Sequence, residues 1–299
     1  MWRYWQKRGH LAEARRRLDR IAAEPWSRDD VVLRARLMEA LGGVCWWQAD
    51  IESMAGAYEE ALALWRSIGD AGEIANALYN LSFKYTVSSR DADRSGGLRL
   101  KQEALALYRQ AGDDLGTANV LWGMGNYRFF GNEPDLGVDL FREALAIFQQ
   151  VGDRTMTAWA QHMLGSALVR RGMLDEAREP LRSSLRTFHD AGDISGLALV
   201  LDELAAESVA LGDLARGARL WGAARALSSA GGVGLADFVD ARWQLEGQPN
   251  AVAAMDREAL ERYAAEGRAM SLEDSIAYAV DMPADILPGR HDHLGATPG

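Results

Sequence analysis

Four stretches of this chain close in the same way. Glu60–Asp70 reads EALALWRSIGD, Glu103–Asp113 EALALYRQAGD, Glu143–Asp153 EALAIFQQVGD and Ser183–Asp193 SSLRTFHDAGD, so the Gly-Asp pairs stand 43, 40 and 40 residues apart. Within each stretch the apolar residues fall at helical spacing. Glycine then takes up the left-handed conformation past a helix end, and aspartate caps the helix that follows. A second helical stretch comes after each pair: Glu73–Tyr85, Leu115–Phe130, Thr155–Arg171 and Ile194–Leu211, each ended by a short break. Neither helix of such a hairpin can bury its apolar stripe alone, so successive hairpins must stack into an α-α superhelix.

Composition fits this reading. The 299 residues are 48% hydrophobic and rich in alanine, leucine, arginine and glutamate, with no sustained two-residue alternation, which predicts an all-α chain. A repeat array also escapes the size limit of a single compact core, because each unit packs only on its neighbours. The formal net charge of −10 argues against nucleic acid as a partner. A run of arginines before residue 37 reads as the solvated face of terminal helices. One cysteine, Cys45, excludes an internal disulfide and suits a reducing compartment. No apolar run approaches the roughly 18 residues of a membrane span, and the opening WRYWQKRGH is not a signal peptide. A soluble, cytoplasmic protein without a membrane partner is expected.

The spacing inside the units can be checked closely. Gly165 and Ala177 lie 12 apart around a turn at Gly172, with Leu164, Leu181 and Ser184 completing the pattern. Ala205, Gly212, Gly217, Trp221 and Ala224 repeat it downstream; Gly125, Gly137, Phe141 and Ala144 repeat it upstream. Gly42, Tyr58 and Ala61 mark the first complete unit, and Ser82, Ala104 and Leu105 the second. This resembles the tetratricopeptide repeat (TPR), in which small residues let two helices approach. The resemblance implies a right-handed α-α superhelix, a TPR-like solenoid. The array is expected over residues 1–230, as a truncated first unit followed by about five units. Residues 11–21 align with 174–184 as a second helix, which leaves Met1–Arg8 as a shortened first helix, as though a larger protein once continued upstream. The turn SSRDADRSGG of the second unit reads as a longer loop. Gly231, Gly232 and Gly234 break the array. C-terminal capping helices are then expected over 231–281, near 236–246, 251–269 and 272–280, the last opened by a Ser271–Asp274 capping box. Residues 282–299, rich in proline and glycine, are expected to be a disordered tail.

Several phrases carry a narrower resemblance: WRYWQKRGHLAEARRRLDR, EALALWRSIGD, LWGAARALSSAGG and AAEGRAMSLEDSIAYAVD. Together they resemble the C-terminal TPR arm of large signal-transduction ATPases and LuxR-type or cyclase-linked transcriptional regulators. The resemblance implies a partner-sensing arm. ATP and DNA binding do not carry over, because no Gly-x-x-x-x-Gly-Lys-Ser/Thr loop is present and Lys7, Lys84 and Lys101 all lack a glycine-rich setting. Residues 231–250 also match that family poorly.

No catalytic constellation emerges. His10, His162 and His189 lie far apart, His291-Asp292-His293 sits in the proline-glycine tail, and Cys45 among Val44, Trp46 and Trp47 reads as a buried, inert thiol. No catalytic residue, metal or cofactor is expected, and binding is favoured over catalysis. In TPR arrays the first helix of each hairpin lines the concave side, and that family geometry selects a groove. It comprises Arg36, Glu39 and Trp46; Asn76, Tyr79, Phe83 and Thr86; Asn119, Trp122, Asn126 and Phe129; Trp159, His162 and Ser166; and Asp202. Aromatic area with interspersed amides suits a protein or peptide partner. For any single aromatic, packing between units competes with groove lining. The alternative is a small-molecule sensor with a pocket between Tyr79, Trp122 and Trp159. The short first unit is expected to leave an apolar end around Trp2, Tyr4, Trp5 and Leu11, available for self-association.

Overall fold

In the computed structural model the described residues are 2–86, 91–131, 133–232 and 255–281, and they contain helices and turns without a strand. The helices are α1 (Trp2–Lys7), α2 (Leu11–Ala23), α3 (Val31–Trp47), α4 (Ile51–Ile68), α5 (Ala71–Leu81), α6 (Phe83–Thr86), α7 (Asp91–Ala111) and α8 (Asp114–Phe130). They continue with α9 (Pro134–Val151), α10 (Arg154–Arg170), α11 (Leu174–Ala191), α12 (Ile194–Ala210), α13 (Leu214–Gly231), α14 (Arg257–Arg268) and α15 (Leu272–Val280). Antiparallel pairs α3/α4, α8/α9, α10/α11 and α12/α13 are the hairpins, and α9 on α10 and α11 on α12 join one hairpin to the next.

The Gly-Asp signal works as its chemistry requires. The glycine past each outer helix is left-handed, from φ +60° at Gly192 to +85° at Gly69. The aspartate side chain then accepts the amide three residues on: Asp70 from Glu73, Asp113 from Gly116, Asp153 from Met156 and Asp193 from Gly196. Asp213 does the same for Arg216 in the last unit. Small residues bring the helices together. A Cβ built on Gly125 would lie 2.5 Å from the Phe141 ring, and one on Gly165 2.5 Å from Leu181.

Two expectations for the second unit change. The helix expected over 73–85 breaks at Ser82, whose hydroxyl donates to the Tyr79 carbonyl at 2.5 Å, so it becomes α5 and α6. The loop expected at SSRDADRSGG is helical from Asp91 onward. Gly97 serves packing rather than a turn there, since a Cβ on it would meet Tyr85 Cβ at 2.7 Å and the Ser82 carbonyl at 3.2 Å.

At the C-terminal end α14 packs on α13 backbone to backbone. A Cβ on Gly222 would lie 2.2 Å from the Ala264 carbonyl. The Ser271 hydroxyl accepts the Asp274 amide and opens α15, as its capping box predicts. Arg216 donates to the carbonyls of Ala279 and Asp281 and ties α15 to α13. The helix expected near 236–246 and the tail from 282 lie outside the described residues.

The N-terminal end departs from expectation. Leu11 is fully buried, Trp5 is half-buried against the core, and only Tyr4, 63% exposed, projects outward; the side chain of Trp2 lies outside the described ones. The reason is a long-range contact: α1 packs on α2 and α3 and also on α12. The superhelix curls tightly enough for its first hairpin to meet its later ones. Trp47 at the end of α3 reaches Trp159 of α10, ring centroids 5.4 Å apart.

Candidate functional site

The inner helices α3, α5/α6, α8, α10 and α12 carry the side chains that register assigns to the concave wall. At the N-terminal end these side chains satisfy one another. The Glu39 carboxylate accepts from the indole of Trp65 (3.1 Å), from the amide of Asn76 (3.0 Å) and from Arg36 (3.1 Å). Arg36 also pairs with Glu73 and lies 4.8 Å above the Trp65 ring. The Asn76 carbonyl oxygen in turn accepts from Asn80 at 3.0 Å. Burial raises the Glu39 pKa, and the guanidinium of Arg36 opposes the rise. Asn76 is thus engaged at both ends of its amide.

The middle of the wall is aromatic. Phe83 stands at its centre, 5.2 Å from Trp46, 5.2 Å and edge-on from Tyr79, and 6.1 Å from Trp122. Trp46, Phe83 and Trp122 are half-buried, while Tyr79 is buried. Behind Phe83 sits a residue that groove register did not select. Lys101 is fully buried, donates to the Ser82 hydroxyl at 2.7 Å, and lies 5.1 Å from the Phe83 ring centroid. Burial pushes its pKa down to about 7. A signal for it stood in the sequence. Tyr58, Phe141, Leu181 and Trp221 fill the corresponding slot of the other units, and Ser82 replaces the glycine at 42 and 125.

The units built on α8 and α10 differ. The Trp122 indole donates to the Trp159 carbonyl at 3.3 Å, and Trp159 packs on Phe188 (4.7 Å) and on His162 (5.8 Å). Two polar side chains here are buried and poorly satisfied. Asn126 is 3% exposed and its carbonyl oxygen accepts no hydrogen bond. His162 is 4% exposed, and neither ring nitrogen is in a well-formed hydrogen bond, the Leu199 backbone being the polar group beside the ring. Burial holds the imidazole neutral, with a pKa pushed down to about 4 against the partial opposition of the Leu199 backbone. Ser166 is buried and spends its hydroxyl on the His162 carbonyl. Asn119 is half-buried and enters none of these networks.

The remaining register positions sit in the packing between units. Phe129 is buried under Arg170, whose guanidinium lies 4.6 Å from its ring. Asp202 pairs with Arg225 at 2.9 Å. Beside it Glu203 is buried and its pKa rises to about 8, through burial and then the charge of Asp202. Cys45 is buried, 2.9 Å from the Arg15 guanidinium, with its thiol pushed up to about 11 by burial. The side chain of Thr86 and the His291/His293 pair lie outside the described ones. No group of three or more metal-ligating residues comes together among the described residues, and no helix among them is long and apolar enough to cross a membrane.

A family model described as the tetratricopeptide repeat matches residues 127–188, from the last turn of α8 through α11. Two solved structures are similar over most of the chain. A Rap protein complexed with Competence and Sporulation Factor is 17% identical with a TM-score of 0.66, over 89% of this chain and 74% of that one. BtubC (BKLC) from P. vanneervenii is 16% identical with a TM-score of 0.52, over 74% of this chain and 91% of that one. The fold is a right-handed TPR-like superhelix. No curated protein sequence matches the chain at a significant level.

Proposed function

We propose that this chain is a protein- or peptide-binding module that seats its partner against the aromatic inner wall, as a scaffold or the sensory arm of a signalling or transcriptional regulator. One observation carries the reading. Half-buried Trp46, Phe83 and Trp122 stand beside buried, poorly satisfied polar groups: the Asn126 carbonyl, which accepts nothing, and the His162 ring, which has only the Leu199 backbone against it. An unpaired buried polar group is costly, and a peptide backbone supplies the donors and acceptors these groups want. The fold shared with a Rap protein solved with Competence and Sporulation Factor supports the same direction. The regulatory setting rests on the resemblance of the sequence to TPR arms of signalling ATPases.

The test is panning a random-peptide display library on the full chain and on the Trp122→Ala/Asn126→Ala variant. Peptides enriched on the parent are expected to lose at least about tenfold in affinity on the variant, a deficit of ~1.4 kcal/mol or more, with helicity unchanged. Enrichment that survives the double change, or no enrichment on the parent, overturns the reading.

A second reading has its own support. The Trp47–Trp159 contact brings unit one against unit four, and Trp159 is only 7% exposed. A closed interior favours a small ligand between Tyr79, Trp122 and Trp159 over an extended peptide. Native mass spectrometry of protein purified from its own host distinguishes the two: a co-purifying small molecule of fixed mass, lost in Trp122→Ala, supports this alternative.

A further inference from the structure

The N-terminal segment makes contacts that local packing within its own unit does not require. The Ser195 hydroxyl donates to the Gln6 carbonyl at 3.1 Å, and the Gln6 amide reaches Asp193 at 3.5 Å. Lys7 Nζ reaches the Thr155 hydroxyl at 3.4 Å. Gly9, at φ +73°, sits so close to the end of α13 that a Cβ on it would lie 3.0 Å from Gly231 Cα. Asp193, Thr155 and Gly231 belong to three successive turns on one edge of the array: before α12, before α10 and after α13. One short segment therefore spans the turns of three units more than 140 residues away.

We infer that α1 and the Gly9 turn form a releasable clasp that holds the superhelix closed, and that ligands reach the inner wall when it lets go. The clasp rests on the reading that the inner wall is the binding site. Three features make it a clasp rather than core. Its polar contacts are side-chain hydrogen bonds, two of them long. A six-residue helix has too few internal hydrogen bonds to persist on its own, so α1 is ordered only while it is docked. The closed state also carries a cost: the Asn126 carbonyl is buried without a partner and the His162 ring lacks a well-formed hydrogen bond while Trp47 covers Trp159. Opening lets water or a ligand satisfy those groups. Loss of docking contacts and gain of solvation then oppose each other, as a two-state element requires.

The test uses the full chain. Spin labels at Tyr4→Cys and Arg154→Cys, both at exposed positions, report the clasp distance; Cys45 is buried and its thiol stays protonated. The distance is measured alone and with Ser195→Glu added. Ser195 is fully buried against Gln6 and lies in the first turn of α12. A carboxylate there suits the helix N-terminus but is too large for the docked segment and faces Asp193. The parent is expected to give one narrow, short distance. The Ser195→Glu chain is expected to give a longer, broad distribution with α12 amide exchange unchanged. Binding of the probe bis-ANS to the aromatic interior should strengthen by about tenfold as the competent fraction rises. An unchanged distance with α12 intact overturns the clasp, and a lengthened distance with unchanged dye binding overturns its gating role. Neither readout uses a peptide, so the clasp fails or stands separately from the peptide-binding reading.

Discussion

The two halves of the inner wall use the same helix positions for opposite ends. In the N-terminal half, the Glu39 carboxylate accepts from Arg36, Trp65 and Asn76, while Arg36 also pairs with Glu73 and Asn76 accepts from Asn80. In the C-terminal half, the buried Asn126 carbonyl accepts nothing and the buried His162 ring has only the Leu199 backbone beside it. The first arrangement stabilises the fold and the second costs it stability. Polarity along the wall therefore separates into architecture and candidate site when partners are counted, as Glu39 and His162 show, both buried and both at the same register place.

The largest test of this contrast is Glu39→Ala. It strips one acceptor from a buried indole, an amide and a guanidinium at once, and is expected to cost ~3 kcal/mol in urea unfolding. The matching change in the other half is His162→Leu, which removes a buried imidazole whose polar contact is with the Leu199 backbone alone. At pH 7 the variant is expected to be at least as stable as the parent. The pH dependence sharpens the point. The folded pKa is about 4 against 6.5 in the unfolded chain, so the unfolded state takes the proton first as pH falls. Stability tied to the neutral ring is complete above pH 6.5 and is lost toward pH 4 at up to ~1.4 kcal/mol per pH unit. His162→Leu should therefore outlast the parent in thermal melts at pH 5. If it costs as much as Glu39→Ala at neutral pH, the two halves do not differ.

Lys101 tests whether the N-terminal half is wholly free of strain. Its folded pKa of about 7 lies below the ordinary 10.5, so the unfolded chain binds the proton over that interval. The penalty is fully present below pH 7 and is relieved as pH rises toward 10.5, again at up to ~1.4 kcal/mol per pH unit. Melting temperatures of the parent should climb between pH 7 and 9, and Lys101→Met should flatten that climb.

The fold was legible in the sequence because its signals are local. A glycine past a helix end and an aspartate before the next act through neighbouring backbone, and they recur at Gly69-Asp70, Gly112-Asp113, Gly152-Asp153 and Gly192-Asp193. Small residues at 42, 125 and 165 are equally readable because each meets one large partner a fixed distance along the chain. Gly96 and Gly97 misled, since a glycine for close packing and a glycine for a turn are the same letter. The positions register selects include Trp46, Tyr79, Phe83 and Trp122, whose rings cluster around Phe83. Register did not say how tightly the stack curls. Curl is the sum of small rotations between units, and it decides whether Trp47 meets Trp159 and whether α1 finds α12. Nor does register distinguish a paired amide from an unpaired one. That depends on whether the next unit offers a carboxylate such as Glu39.

Asn76 and Asn119 give the finest version of the contrast, because they hold the same place in successive units and are both half-buried. Asn76 donates to Glu39 and accepts from Asn80; Asn119 enters neither network. Asn76→Ala is expected to cost ~1 kcal/mol, since it leaves Glu39 with one donor fewer and Asn80 without its side-chain acceptor. Asn119→Ala is expected to stay within ~0.5 kcal/mol of the parent. Ligand affinity should invert the order: a peptide selected on the parent chain should weaken on Asn119→Ala and be indifferent to Asn76→Ala. Equal stability losses would show that partner counting does not separate the halves. Equal affinity losses would move the ligand onto the N-terminal network, where the Glu39 carboxylate would have to exchange an internal donor for one from the ligand.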